Sequence, residues 1–528
     1  PFDNTFTVAK SALFPTSDGN LSKTFGAAGN QKKWTFSTWL KKCANGTTLN
    51  VFRTSHGNDT AIQFNSDKLQ FYVWNGSSYL TNILTTPVYQ DASQWFHLVL
   101  KWDSTPSTPS ASSIAFYVNG VQVTALDTAV YPSQNVDSGW NGNGAQTIGI
   151  EGTGSDWDGY MSEIVFIDAL AASSFGQTDT STNRWIPKDV SGLTYGTNGF
   201  YLNFSNASDL GEDQENSNDW TNNNSVVQST DSPTTNIATF NPNSKASGMV
   251  LSNGNRKFVA GTNQNVHGTL ALPSTGKYYW EVNLDTASSG SIGVFLALNG
   301  GTEAMTTATS GWGTAVALYR AANGNVLVDG TSIFTISGVS AINTTWQVAV
   351  DLDNNKMWFG IDNTWMSSTA VTGGNPSTGA NPVLERDFSG YFPLFGNYSN
   401  TMTVDFDSAN WGYTPPTGFV ELSQDNLAGT DQFISAFSWI KNRDATDNHM
   451  LFDRVRGATK DLHSNTSDVE VTNVNTVQRF LEAGVQVGND VQVNTANESY
   501  VLWNWMIENT GSGASNEAGS INTTSTLV

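Results

Sequence analysis

Residues 95–123 read WFHLVLKWDSTPSTPSASSIAFYVNGVQV. Phe96, Leu98, Leu100 and Trp102 alternate with His97, Val99 and Lys101, the two-residue period of a strand and not the longer period of a helix. Beyond a Pro/Ser-rich turn, Ile114, Phe116 and Val118 alternate in the same way. Asn119-Gly120 then supplies the two positive-φ positions of a tight hairpin before Val121 and Val123. The same grammar returns in WQVAVDLDNNKMWFGIDN, residues 346–363. There Trp346, Val348 and Val350 lead into an Asp353-Asn354-Asn355 turn, and Met357, Phe359 and Ile361 lead back. Two such units far apart in the chain predict two β-sandwiches of one general type.

Working outward, WTFSTWLKK (residues 34–42) places Trp34, Phe36, Thr38 and Leu40 on one face of a strand. Further strands are predicted at 49–53, 61–64, 69–74, 146–150 and 160–167, the third of them turned by Asn75-Gly76. No long amphipathic helix interrupts them, so the fold class is all-β: tandem jelly-roll sandwiches followed by a C-terminal β-rich segment.

The length of 528 residues suggests several domains, each large enough to bury a core without staples. Cys43 is the only cysteine, which excludes an intrachain disulfide framework and any multi-cysteine metal site. Charged residues make up 13% of the chain, half the usual share, while aromatics reach 12% with 18 Trp. That is the composition of turn-rich sandwich surfaces. A formal charge of −22 repels nucleic acid and anionic membranes. No apolar run is long enough to span a bilayer, and no charged segment followed by an apolar one opens the chain. The chain begins with Pro1 and finishes in NTTSTLV, so both ends are expected to be processed or cut.

KKWTFSTWLKK, KLQFYVWNGSSYL, WFHLVLKWD, FYVNGVQVTAL, YPSQNVD, DGYMSEIVFIDA and SSFG, in that order, resemble the laminin-G/concanavalin-like jelly roll of tailed-phage virion proteins. TNRWIPKDVSG and YGTNGFYLNFSN resemble the segment that closes it, giving a first domain over residues 1–204. GKYYWEVNLD, SIGVFLAL, TAVALYRAANGNVLV, WQVAVDLDNNKMWFGID, YFPLFGNYSNTMTVDFD and PPTGFVEL resemble a SPRY domain, placed over 245–422. Residues 423–528 resemble the lectin-like C-terminal region of the same phage proteins, where an I-K-N-R motif ends a strand. This last segment has strong strands at 485–493 and 500–506 but few turns, so it is expected to need following chain or neighbouring subunits for closure. Between the sandwiches, residues 205–244 lose periodicity. Asp209, Glu212, Asp213, Glu215 and Asp219 mark this stretch as an acidic, exposed linker that a protease should cut first.

The resemblance implies a virion structural or adhesion protein, a tail fibre, spike or capsid appendage on the particle surface. Its implied partners are host-surface polysaccharide and other virion proteins, in a homo-oligomer with a trimer favoured, and it implies no cofactor. Composition by itself implies only an acidic, β-rich binding or scaffold protein. Two rivals stay open: a purely architectural virion protein and a polysaccharide depolymerase.

The depolymerase needs two carboxylates facing one groove. Glu-x-Asp-x-x-Glu is absent; Glu281 and Asp285 in EVNLD share a face, but Glu281 sits in the core signature of its domain and reads as structural. No G-x-S-x-G elbow is present, and His56, His97, His267, His449 and His463 are scattered. We therefore expect no enzyme and no catalytic residue. Asp156 and Asp158 in SDWDGY are the weak metal candidates: laminin-G relatives hold calcium at the sandwich rim, whereas a tight turn before a strand explains the same residues. Trp140, Trp157, Trp312 and Trp365 fall in Gly/Asn/Ser-rich loops, where an exposed ring stacks on sugars and a buried one closes a sandwich end. Lys441, Arg443, Arg454 and Arg456 form a basic island that suits a partner's acidic patch or an intrachain salt-bridged face.

Overall fold

The computed structural model describes residues 6–15, 19–149, 155–167, 172–179, 184–223, 225–286, 292–297, 318–320, 325–328, 331–335, 344–398, 401–427, 434–481, 484–495 and 498–507. Over these residues the chain is nearly all β-structure, as the alternation predicts. The first sandwich has two antiparallel sheets. One runs Val121–Gln122, Ala115–Val118, Phe96–Asp103, Lys33–Lys42, Gly159–Ile167, Ser11–Phe14 and Val227–Ser229. The other runs Leu126–Val130, Tyr79–Val88, Lys68–Trp74, Asp59–Asn65, Leu49–Thr54, Ala145–Ile148, Asn20–Thr24 and Thr221–Asn223. Asn119 (φ 47°) and Gly120 (φ 78°) make the hairpin turn that their sequence demands. Register sets Trp34 opposite Trp102 and Phe36 opposite Leu100, so the alternating apolar set fills the space between the sheets.

Residues 205–244 are not an exposed linker. Thr221–Asn223 and Val227–Ser229 each extend a sheet of the first sandwich, pairing with Asn20–Thr24 and Ser11–Phe14. Trp220, 2% exposed, lies against Phe25, Phe52 and Phe200 and closes the core. Asp213 works as a turn anchor: its carboxylate accepts the backbone N–H groups of Tyr201, Glu215, Asn216 and Asn218. The acidic residues read as solvated charge are partly the internal bonding of a compact turn. The first module therefore extends to Ser229 rather than closing at residue 204.

The second sandwich has one sheet of Phe240–Lys245, Thr262–Gly268, Phe392–Tyr398 and Ile292–Ala297. Its other sheet runs Val250–Ser252, Lys257–Val259, Thr401–Asp405, Lys277–Thr286, Thr345–Asp351, Lys356–Ile361 and Thr364–Trp365. Trp280, Trp346, Phe395 and Met402 are among its core. The two sandwiches meet over the outer face of Lys33–Lys42. Lys41, 1% exposed, donates from Nζ to Asp231 (2.7 Å), Asn236 Oδ1 (2.9 Å) and the Ile237 carbonyl (2.8 Å). Trp95 Nε1 donates to the other Asp231 oxygen at 2.9 Å. Tyr160 donates its hydroxyl proton to the Gly254 carbonyl, and Asn255 donates to the Cys43 carbonyl.

The C-terminal segment is a sheet of Val471–Thr472, Lys460–His463, Met450–Asp453, Ile434–Asn442 and Tyr500–Ile507, with a hairpin of Val477–Leu481 and Gly484–Val487. The strand expected over 485–493 ends at Val487, because the Gly488 N–H bonds the Thr476 carbonyl and the Asp490 side chain accepts the Gln492 N–H in a turn. The core here is small: Ile440, Met450, Phe452, Val477 and Val493.

Candidate functional site

The four loop tryptophans separate. Trp140 is fully buried, stacked on Phe52 at 4.2 Å and 5.0 Å from Trp34. Its loop enters the core because Gly139 passes where a Cβ would lie 2.1 Å from the Asn58 carbonyl oxygen. Trp157 is also fully buried, 5.8 Å from Phe64. Neither ring can meet a sugar, which corrects the expectation for both: each closes a sandwich end. Trp312 lies outside the described residues. Of the three described, only Trp365 keeps a partly exposed ring on the protein surface.

The two metal candidates differ in burial: Asp156 is half-buried, whereas Asp158 is buried, which pushes its carboxyl up to about 7. Among the described residues no three His, Cys, Asp or Glu side chains converge as a metal site. The basic island is divided. Arg456 pairs with Asp453 and, at 3.4 Å, with Glu470, while Lys441 donates to the carbonyls of Asn442 and Ala445. Arg443 is exposed and Arg454 half-buried. His97 is fully sealed and bonded to a hydroxyl, and His267, 6% exposed, likewise meets the Ser244 hydroxyl through Nδ1 at 2.9 Å. His97 Nε2 lies 2.8 Å from Ser37 Oγ, and its Nδ1 accepts Trp185 Nε1 at 2.9 Å. Burial pulls its pKa down to about 3, so the ring is neutral and its nitrogens are committed to packing partners.

The sharper constellation surrounds Trp365, on the outer face of the second sandwich. Along Lys277–Thr286, Tyr278, Trp280, Val282 and Leu284 enter the core, so Tyr279, Glu281, Asn283 and Asp285 point the other way. Gln347 joins them from the neighbouring strand, opposite Glu281. Tyr279 donates its hydroxyl proton to Glu281 Oε1 at 2.6 Å and accepts Gln347 Nε2 at 2.8 Å. Gln347 Oε1 in turn accepts the Asn363 N–H at 2.6 Å. Glu281 also accepts the N–H groups of Gly412 (2.7 Å) and Tyr413 (3.0 Å), clamping the loop that carries two more aromatic rings. Burial, then the bond to Glu281, holds the Tyr279 phenol well above its ordinary range.

Over this buried polar net lie the rings. Trp411 stands edge-on to Tyr279 at 4.7 Å, its Nε1 donating to the Asp405 carbonyl, and Trp365 lies tilted 6.3 Å from Tyr279. Gly360 leaves Trp365 room: a Cβ there would approach Trp365 Cε3 at 3.2 Å. Tyr413 reaches Asp362, hydroxyl to Oδ1, at 3.3 Å. Trp365, Trp411 and Tyr413 are each half-exposed. The result is an aromatic rim with amide and carboxylate groups at its edge, held from beneath. Asp405 borders it, its carboxyl pushed up to about 6 chiefly by burial. Sequence reading found Trp365 and missed Trp411 and Tyr413, although WGYTPPTG has the same polar, Gly-rich loop signature.

A family model described as the concanavalin A-like lectin/glucanases superfamily, of laminin-G type, matches residues 16–173. A second, described as a domain of unknown function, DUF7483, matches residues 421–527. No curated protein matches the chain. Similar solved structures include the SAP-like heptameric pentraxin of Limulus polyphemus, 18% identical, covering 43% of this chain and 96% of that one with a TM-score of 0.28. The LG4-5 domains of the mouse laminin alpha1 chain are 8% identical, covering 76% and 89% with a TM-score of 0.27. The SPRY domain of human HERC1 is 18% identical, covering 31% and 96% with a TM-score of 0.23. The first sandwich is a concanavalin/laminin-G-like jelly roll.

Proposed function

We propose that this protein is a non-enzymatic glycan-binding protein and that the rim of Trp365, Trp411 and Tyr413 is where it holds sugar. The observation that carries the reading is the pairing of half-exposed rings with a buried net that fixes them. Tyr279, Glu281 and Gln347 spend their polar atoms on one another and on the loop backbone, so the rings are preorganised before any ligand arrives. Apolar ring faces cover the C–H faces of a pyranose, and Asp362 and Asn363 stand beside them for its hydroxyls. The match of the first sandwich to a lectin-containing superfamily supports the same class of ligand. A binding role is favoured over hydrolysis because Glu281, the carboxylate beneath the rings, already accepts three hydrogen bonds inside the protein.

The finer proposal is that the glycan is a host-surface polysaccharide and the protein an adhesion component of a tailed-phage particle, shown on its surface among other virion proteins. It is supported by the ordered resemblance of the sequence blocks to such proteins. A shallow rim of this kind binds at about millimolar strength per site, near −4 kcal/mol. Linking sites raises apparent affinity by roughly 10²–10⁴ where geometry permits.

The test is titration of the full chain with bacterial surface oligosaccharides, followed by ligand-observed NMR, with reducing-sugar release assayed in parallel. Trp365→Ala and Trp411→Ala are expected to weaken binding about tenfold or more while leaving the unfolding transition in place. Unchanged affinity in both variants would remove the rim from the proposal. Sugar release at catalytic rates would replace it with a depolymerase, and failure of every glycan, with retention on isolated virion proteins, would replace it with architecture.

A further inference from the structure

We propose that the strand Tyr500–Ile507 is a self-association edge, pairing antiparallel with the same strand of a second copy across a two-fold axis. This strand is last in the C-terminal sheet. Ile434–Asn442 lies on one side, and among the described residues no strand pairs with the other. An edge of eight residues presents a row of backbone donors and acceptors that templates another strand. The sequence devices that protect natural edges, charge and proline, are missing from it: YVLWNWMI contains no Lys, no Pro and no charge of either sign. In a chain of formal charge −22, a neutral strand is where two copies approach with least repulsion, whereas a basic partner finds nothing here to pair with.

The side chains make the edge self-complementary. Trp503 lies opposite Trp439 and Trp505 opposite Phe437, all on the open face, with ring pairs 5.3 and 5.1 Å apart. Opposite residues in an antiparallel pair share a face, so two-fold pairing must set open face beside open face. With Asn504 facing its own copy, Trp503 lies across from Trp505 of the second copy, and the two aromatic ladders join. Trp503, Trp505 and Leu502 are 44%, 50% and 42% exposed. Four half-covered indoles contribute roughly 300–500 Å². With the paired backbones the contact reaches roughly 1,000 Å², the low end for a specific interface. An interface of that small size suits a reversible dimer, and the proposal sets its midpoint at about micromolar concentration. It would double the number of binding modules without depending on what they bind.

Sedimentation and light scattering of the full chain from about 1 to 100 μM test this directly. The mass is expected to rise from 56.9 kDa to twice that value. Trp503→Lys and Trp505→Lys, which set like charges beside one another across the axis, should each move the midpoint upward at least tenfold. Amide exchange supplies a second readout: protection at 500–507 should grow with concentration in the parent chain and not in the variants, while Ile434–Asn442 stays protected in all three. A single-chain mass at every concentration overturns the proposal. So does a three-chain mass, which a two-fold strand pair cannot close, or a dimer indifferent to both substitutions. A monomer that dimerises only after removal of residues 508–528 overturns it as well, assigning the edge to that segment.

Discussion

Trp39-Leu40-Lys41 and Trp439-Ile440-Lys441 are nearly the same three residues, each on a central strand of an antiparallel sheet. Each tryptophan is set against a histidine, Trp39 stacked on His97 at 4.9 Å and Trp439 edge-on to His449 at 5.5 Å. Leu40 and Ile440 both enter a core. The outward residues meet different fates. Trp39 packs with Leu13, Cys43, Trp95 and Tyr160, and Lys41 beside it is sealed by the chain crossing into the second sandwich. Trp439 stays half-exposed beside Trp503, and Lys441 bonds only to carbonyls a few residues away. An outward aromatic on a strand is therefore a surface in search of cover. Whether it finds that cover inside the chain is decided by elements distant in sequence.

The largest effect should come from breaking the covered side. Lys41 and Asp231 are both almost wholly buried, and removing one partner leaves the other charge without compensation. Lys41→Met is expected to cost about 3–5 kcal/mol, measured by denaturant unfolding, and to open residues 230–237 to protease. The equivalent change at Lys441 should be nearly silent. Equal losses at the two lysines would erase the distinction.

How much of this was legible beforehand follows from the same contrast. The strands were, because burial between two sheets imposes a two-residue alternation that Phe96–Asp103 and Thr345–Asp351 carry openly. The closing strands at 221–223 and 227–229 were not, since TNN and VQS are too short to show a period, and the burial of Trp220 beside them is set by distant rings. Trp140 and Trp157 looked like exposed loop rings because local composition reports the loop and not the core into which it folds. The rim was half visible: Trp365 stood out, while Trp411 and Tyr413 depend on Glu281 clamping a distant loop, a contact that no spacing encodes.

A second, smaller effect concerns acid groups that the covered regions have taken in. Glu163 occupies the bulge of Gly159–Ile167 at φ 51°, bonded by the Tyr201 hydroxyl, and burial pushes its carboxyl up to about 7. Asp158 is pushed to about 7 and Asp405 to about 6, each mainly by burial. For an acid with a raised folded pKa the native state holds more protons, so its stabilisation is complete below the unfolded pKa and is lost as pH rises to the folded one. Stability should fall between about pH 4.5 and 7, with Glu163 contributing on the order of 2–3 kcal/mol. Glu163→Gln should flatten that part of the profile, and a slope unchanged by the substitution would show the carboxylate ionised in the fold.

The smallest effect sharpens the comparison most, because it measures the open face itself. Trp439 and Trp503 pair across strands at 5.3 Å, but Trp503 remains 44% exposed, so water competes for both rings. Aromatic pairs of this kind couple by about 0.5–1.5 kcal/mol beyond their area. A double-mutant cycle of Trp439→Ala and Trp503→Ala, read from amide exchange across Ile434–Asn442, should give a coupling in that range in dilute protein. The same cycle in concentrated protein should give a larger value, since a second copy that covers Trp503 also excludes the competing water. A coupling independent of concentration would leave the C-terminal face open in every state. A large coupling already present in dilute protein would place its cover within the chain, and the contrast between Trp39 and Trp439 would become one of degree.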